Sequence, residues 1–176
     1  MGIFQGLFPP SKPSAPGQPK PGGDTLGDAI QTIIEDRHNF FKRCFASLTD
    51  DDKVVLSLLE LFIFTTAHPA KSEEDKEQHH RFLDQVHSAA YALLHERKLV
   101  QDSRSFEALA QSCYQRWNEA FAKGKPDKLP SGFYWLAKDV LLTLRPNEDP
   151  DIALIDGLAE YITHAMVSWR PAPGRA

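Results

Sequence analysis

The sequence predicts an all-α fold, a compact bundle of about six helices preceded by a disordered proline-rich arm. Apolar residues recur at helical spacing along most of the chain, and residues that favour helix caps or stops separate these segments. No segment shows the sustained alternation of apolar and polar residues that a half-buried strand requires. The chain has 176 residues, of which 41% are hydrophobic, so we expect one helical domain.

Residues 1–23 form the predicted arm. Its residues 9–23 contain six prolines and no large apolar side chain, a composition typical of an extended spacer. Residues 1–8 precede the spacer and carry four apolar side chains at the spacing of one helical face, namely Ile3, Phe4, Leu7 and Phe8. We interpret this apolar tip as a candidate docking segment for a partner protein; the alternative is that it folds back on its own domain.

We expect the helical domain to span residues 24–170, with a short tail at 171–176. The predicted helices cover about residues 24–48, 49–68, 72–99, 102–123, 131–145 and 149–170. Each begins with residues that favour helix N-termini, which are Asp24 or Thr25, Thr49, Ser72, Asp102 or Ser103, Ser131, and Asp149 with Pro150. The second helix is apolar nearly all round, which is typical of the central helix of a bundle.

The charge pattern gives no support for nucleic-acid binding. The net charge is −4, and because the arm carries Lys12 and Lys20 but no acid, the rest of the chain carries −6. Such a domain repels phosphate, and no stripe of Lys and Arg with interleaved aromatics offsets this. We therefore expect no nucleic-acid partner.

The cysteines and the apolar segments favour a cytoplasmic protein. Cys44 and Cys113 lie far apart on apolar helix faces, and neither has a Cys or His at metal-binding spacing. The longest apolar run, Val54 to Phe64, is too short to span a bilayer, and the N-terminus lacks the features of a signal peptide. We expect neither membrane binding nor a cofactor.

Two charged residues interrupt apolar faces and are predicted to pair. Arg37 lies within the apolar stripe of the first helix, and Glu60 lies within that of the second. In an antiparallel hairpin that turns near Leu48 and Thr49, both residues are at about the same height. We interpret the pair as a structural buried salt bridge. The alternatives are a Glu60 at the boundary beside Lys53 and Ser57, and an active-site acid or metal ligand at Glu60.

Glu-x-x-His pairs, the one metal-like pattern, are not expected to bind metal. The pattern occurs as Glu35 with His38 and as Glu77 with His80, a spacing used in di-iron bundles. Both glutamates project away from the apolar faces of their helices, however, whereas ligands to a metal at a bundle centre must point inward.

His79 lies near the core line of the third predicted helix, with His80 and His87 on its flank, and we interpret the three as a boundary and not as a site. His87 also lies at helical-neighbour spacing from Asp84, and we interpret that pair as solvated.

A candidate binding surface lies on the fifth predicted helix. Trp135 and Leu142 stand seven residues apart, opposite the main apolar face of that helix. Coverage by the 125–130 loop or by another helix is one interpretation, and an exposed patch that binds a partner or a second copy of the chain is the other.

We therefore expect a non-catalytic protein-interaction module, an adaptor or regulator that uses a surface of the bundle and the tethered tip. No nucleophile or phosphate-binding motif is present in the sequence, which favours a protein that is not an enzyme. The alternative is a helical domain with a small-molecule or metal pocket, which would include an enzyme, with Arg37, Glu60 and His79 as its polar lining.

Overall fold

The computed structural model describes residues 30, 31, 41, 47–69, 72, 75–124 and 131–169. Within these ranges every regular element is a helix and no strand occurs, so the predicted all-α class is confirmed. The helices are α1 (Asp50–Ala67), α2 (Lys76–Glu96), α3 (Ser103–Ala122), α4 (Gly132–Leu144) and α5 (Ile152–Trp169).

The number of helices differs from the predicted six. The described ranges contain five helices with defined bounds, which correspond to the second to sixth predicted segments. Of the predicted first helix, the structure describes Ile30, Gln31 and Phe41; all three are helical, and Ile30 and Phe41 are buried in the core. The predicted arm (1–23) and tail (171–176) lie outside the described residues.

Helix α1 forms the centre of the bundle. Every side chain from Val54 to Ile63 is buried, and α1 packs against each of the other four helices. A helix covered on several sides needs apolar residues around its whole circumference. This confirms the prediction that the second predicted helix is central, and it explains why Val54 and Leu61 are apolar although they lie off its main face.

A capping box starts α1, as predicted. The Thr49 hydroxyl accepts from the Asp52 backbone N–H (3.1 Å), and the Asp52 carboxylate accepts from the Thr49 backbone N–H (2.8 Å). Arg145, which follows α4, donates to Asp52 Oδ1 (2.8 Å) and to the Ser47 carbonyl (3.2 Å). The guanidinium therefore ties the end of α4 to the start of α1.

Helix α4 packs most extensively against α3 and α5. Its buried face consists of Leu136, Ala137, Val140, Leu141 and Leu144. Capping side chains define the starts of all three helices, because Asp102 accepts from the Ser105 N–H, Ser131 from the Tyr134 N–H, and Asp151 from the Ala153 N–H. Asp102 and Ser131 act as predicted, whereas α5 begins after Asp151 and not at the predicted Asp149 and Pro150.

Helix α2 lies at the periphery, and only Val86, Ala90 and Leu94 are buried along it. It begins at Lys76, later than predicted, because the Ser72 hydroxyl accepts from the Asp75 N–H (3.2 Å) and so caps a turn before the helix. Although α2 and α3 are consecutive, they share little direct packing. A space lined by side chains of both helices lies between them.

The end of α2 is a Schellman motif without glycine. The Lys98 N–H donates to the His95 carbonyl, and the Leu99 N–H donates to the Leu94 carbonyl. The distance from nitrogen to oxygen is 2.9 Å in each bond. Lys98 has a φ of 59°, in the left-handed region that glycine usually occupies at this position. Leu99 packs against the core and so completes the apolar contact of the motif.

None of the helices in the described ranges is both long and apolar enough to cross a membrane.

Candidate functional site

Several predicted site residues lie outside the described part of the chain. They are the four apolar residues of the tip, Ile3, Phe4, Leu7 and Phe8, together with Arg37. The predicted pairing of Arg37 with Glu60 and the docking role of the tip therefore stay predictions.

Trp135 and Leu142 are both half-buried. The Trp135 ring packs edge-on against Tyr134 with centroids 5.8 Å apart, and Lys138 Nζ lies 5.9 Å from its centroid. The large apolar side chains that are exposed among the described residues lie elsewhere, at Leu109, Phe121, Ile152 and Val167. The structure thus places Trp135 and Leu142 at a boundary between core and solvent, where a partner would meet only part of each side chain.

Glu60 is buried at the centre of the bundle, with 1% of its surface exposed. Its Oε1 accepts a hydrogen bond from the Tyr161 hydroxyl of α5, and the two oxygens are 2.5 Å apart. The Tyr161 ring in turn packs edge-on against Phe41, with centroids 5.7 Å apart. Glu60 thus lies between α1 and α5 with its carboxylate bound by Tyr161, and neither Glu60 nor His79 lines the two cavities described below.

The histidines and acids of α2 do not form a metal site. Glu77 is exposed and accepts a hydrogen bond from Arg81 at a nitrogen–oxygen distance of 2.5 Å. His80 is exposed, and His79 is half-buried. Across the described ranges, no group of three or more His, Cys, Asp or Glu side chains is arranged to hold a metal ion. The other Glu-x-x-His pair, Glu35 with His38, lies outside those ranges.

One candidate site among the described residues is the space between α2 and α3, which we call the α2–α3 groove. It is an open cavity of about 590 Å³. Helix α2 contributes Asp84, His87, Ser88 and Tyr91 to its lining. Helix α3 contributes Ser103, Phe106, Glu107, Ala110, Gln111 and Tyr114. A cavity of about 250 Å³ lies at the α4–α5 turn beside Arg145 and Asp149.

Aromatic rings form the floor of the α2–α3 groove. Tyr91 packs against Phe106 across the two helices, with centroids 5.8 Å apart. Tyr114 contacts His87 at 5.7 Å and also Phe62 of α1 at 5.4 Å. The floor is therefore continuous with the core, which keeps the groove from collapsing.

A hydrogen bond links the two walls of the groove. His87 Nε2 lies 3.0 Å from the Tyr114 hydroxyl, and His87 Nδ1 lies 2.8 Å from the Leu83 carbonyl. Because a carbonyl only accepts, Nδ1 carries the proton, and in the neutral ring Nε2 accepts from Tyr114. Burial raises the pKa of Tyr114 and keeps its hydroxyl protonated as a donor. The His87 ring lies partly buried between α2 and α3, which agrees with the boundary interpretation of the α2 histidines and not with a solvated His87–Asp84 pair.

The chain was also compared with known proteins. Neither the models of protein families, nor the curated proteins, nor the solved structures include a match to it. We therefore infer function from the side chains of the groove themselves.

The groove was not predicted from the sequence, although one signal was present. His87 and Tyr114 lie at nearly equal distances from the turn at 97–102, as do Tyr91 and Phe106. In an antiparallel hairpin such residues lie opposite each other, as predicted for Arg37 and Glu60. The cavity between α2 and α3 could not be predicted in this way, because the spacing of the two helices depends on how each of them packs against α1.

Proposed function

We propose that this domain is a non-catalytic protein-interaction module and that a partner protein binds in the α2–α3 groove. The observation that carries the proposal is the open, aromatic-floored cavity of about 590 Å³ between two helices. Binding sites typically enclose roughly 300–1,000 Å³ and combine apolar walls with a few polar groups. Aromatic residues at such sites contribute a large share of binding energy.

The composition of the groove suits binding better than catalysis. His87, its one imidazole, uses both ring nitrogens in hydrogen bonds to Leu83 and Tyr114. The Tyr114 hydroxyl is held protonated by burial, so it is a poor base or nucleophile. The polar groups on the floor thus serve to fix the walls of the groove.

The N-terminal tip and the Trp135 surface remain part of the proposal as further contacts. In this arrangement the groove recognises one segment of the partner, and Ile3, Phe4, Leu7 and Phe8 dock on a second site through the proline-rich spacer. Trp135 and Leu142 offer a smaller surface to the same partner or to a second copy of the chain. Two linked contacts raise affinity because the second is formed at a high effective concentration.

A steric block of the groove tests this proposal. Ser88 is exposed and lines the groove, whereas Ser112 is equally exposed on α3 and does not. We expect Ser88→Trp to lose the partner that the wild-type chain captures from its source lysate, and Ser112→Trp to retain it. If both variants capture the partner as the wild type does, the groove is not the binding surface.

The role of the tip is tested separately in the full chain. Replacement of its four apolar residues by serine is expected to weaken capture without a change in the thermal unfolding of the domain. Unchanged capture would remove the tip from the proposal and leave the groove as the binding site.

A small-molecule site is the second candidate, and the volume of the groove favours it. This candidate replaces the predicted lining of Arg37, Glu60 and His79 with the aromatic residues of the groove. Mass spectrometry of the purified protein under native conditions would detect a retained ligand, and Ser88→Trp is expected to displace it.

A further inference from the structure

The carboxylates that line the α2–α3 groove have no basic counterpart in that lining. Asp84 stands on the α2 side and Glu107 on the α3 side, and both are exposed. The lining includes no lysine or arginine. The groove is therefore flanked by a carboxylate on each helix, and no basic side chain of its lining neutralises them.

The floor between these carboxylates consists of aromatic rings. Tyr91, Phe106 and Tyr114 all line the cavity. The face of an aromatic ring carries partial negative charge and attracts a cation placed over it. Carboxylates above an aromatic floor thus favour a positively charged group with an apolar stem, and they disfavour an anion.

We propose that the α2–α3 groove recognises a basic segment of a partner protein and takes up an arginine or lysine side chain from it. This inference rests on the proposed function and specifies the chemistry of the partner. The methylene stem of the inserted side chain packs on the partly exposed rings of Tyr91 and Tyr114, and its charged end lies near Asp84 or Glu107. The open form of the groove suits a side chain that enters from a neighbouring chain. The net charge of −6 outside the arm favours the approach of such a segment.

A pair of peptide probes that differ only in charge gives the direct test. The two probes are a short acetylated and amidated peptide with a central arginine, and the same peptide with citrulline, which has nearly the same shape and no charge. Binding to the full chain is followed by the shifts of backbone amide resonances in nuclear magnetic resonance titrations. We expect the arginine peptide to shift the resonances of Ser88 and Gln111 and to bind roughly tenfold more tightly than the citrulline peptide.

Charge variants of the groove locate the effect. Asp84→Asn with Glu107→Gln is expected to reduce the affinity of the arginine peptide roughly tenfold and to leave that of the citrulline peptide unchanged. The matched control is Asp156→Asn with Glu119→Gln, which removes the same charge from exposed helical positions outside the groove. We expect this control to change the affinity less than twofold, because salt screens distant charges.

The results separate this inference from the proposed function. Equal affinity of the two peptides, equal effects of the two double variants, or no shifts with either peptide would overturn the inference. If Ser88→Trp still blocks the partner in that case, the groove is a docking site for an apolar segment. If Ser88→Trp also leaves capture intact, the proposed function fails together with the inference.

Discussion

The Tyr161 hydroxyl of α5 donates a hydrogen bond to the Glu60 carboxylate of α1 at the centre of the bundle, and the two oxygens are 2.5 Å apart. Both side chains are buried, and the ring of Tyr161 also packs against Phe41. A carboxyl group at such depth is costly unless polar groups surround it. The Tyr161 hydroxyl therefore fixes the position of Glu60 and joins the central helix to α5.

Loss of the Tyr161 hydroxyl should destabilise the fold. We expect Tyr161→Phe to lower the free energy of unfolding by about 2 kcal/mol, because the buried Glu60 loses a donor while the packing of the ring is kept. Urea denaturation followed by circular dichroism measures this change. The matched control is Tyr134→Phe on α4, whose hydroxyl has no hydrogen bond among the described residues, and for which we expect little change. Equal stability of Tyr161→Phe and the wild type would contradict the structural role of the pair.

Asp52 makes the free energy of unfolding depend on pH. Burial alone raises the pKa of Asp52, but hydrogen bonds from Arg145 and Thr49 outweigh it and hold the pKa below its ordinary value of 3.8. A lowered pKa adds stability that is complete above pH 3.8 and is lost as the pH falls through the folded-state pKa. We expect Asp52→Asn to cost about 2 kcal/mol at neutral pH, and the difference from the wild type to shrink in acid.

Urea denaturation of both proteins from neutral pH down to acid measures the effect. Asp51→Asn is the control, because Asp51 lies in the same helical turn but is exposed. We expect its stability to follow the wild type at every pH. A difference between Asp52→Asn and the wild type that stays constant into acid would show that the carboxylate charge is not what stabilises this junction.

Lys98 offers a stabilising substitution. Its φ of 59° costs about 1–2 kcal/mol for a residue with a Cβ, and glycine avoids this cost. Because glycine also makes the unfolded chain more flexible, we expect a net gain of about 0.5–1 kcal/mol from Lys98→Gly. Lys98→Ala removes the same charge but keeps the Cβ, so it should bring no such gain. Thermal unfolding of the two variants measures the difference, and we expect Lys98→Gly to have the higher melting temperature. Equal melting temperatures would argue against the left-handed conformation of residue 98.

The hydrogen bond across the groove predicts a defined histidine tautomer. We expect the ¹⁵N resonances of the neutral His87 ring to show a protonated Nδ1, because Leu83 accepts from it, and to keep this form in Tyr114→Phe. The variant should lose about 1 kcal/mol of stability with the hydrogen bond from Tyr114 to Nε2. A proton on Nε2 in the wild-type protein would mean that the two walls are not linked in this way.

Much of the helical architecture could be predicted because its signals are local. The N-terminal caps at Thr49, Asp102 and Ser131 are hydrogen bonds between residues three positions apart. Such caps can therefore be predicted from the sequence alone. The start of α5 was placed too early, because Asp151 competes with the Asp149 and Pro150 signal as the capping residue. The central position of α1 followed from its apolar circumference.

The candidate site was less accessible to prediction, because it depends on which helices meet and at what angle. The sequence marked Glu60 as an acid that interrupts an apolar face, but its partner Tyr161 is 101 positions away on a helix whose neighbours no local pattern specifies. Arg145 and Asp52 are 93 positions apart for the same reason.

By itself, the sequence determined the all-α class and most helix boundaries, because periodicity and capping act over a few residues. Only the tertiary structure decided that Glu60 is fully buried and that an aromatic groove opens between α2 and α3. The physical reason is that each of these helices packs independently against α1, and the space left between them is set by those two contacts together.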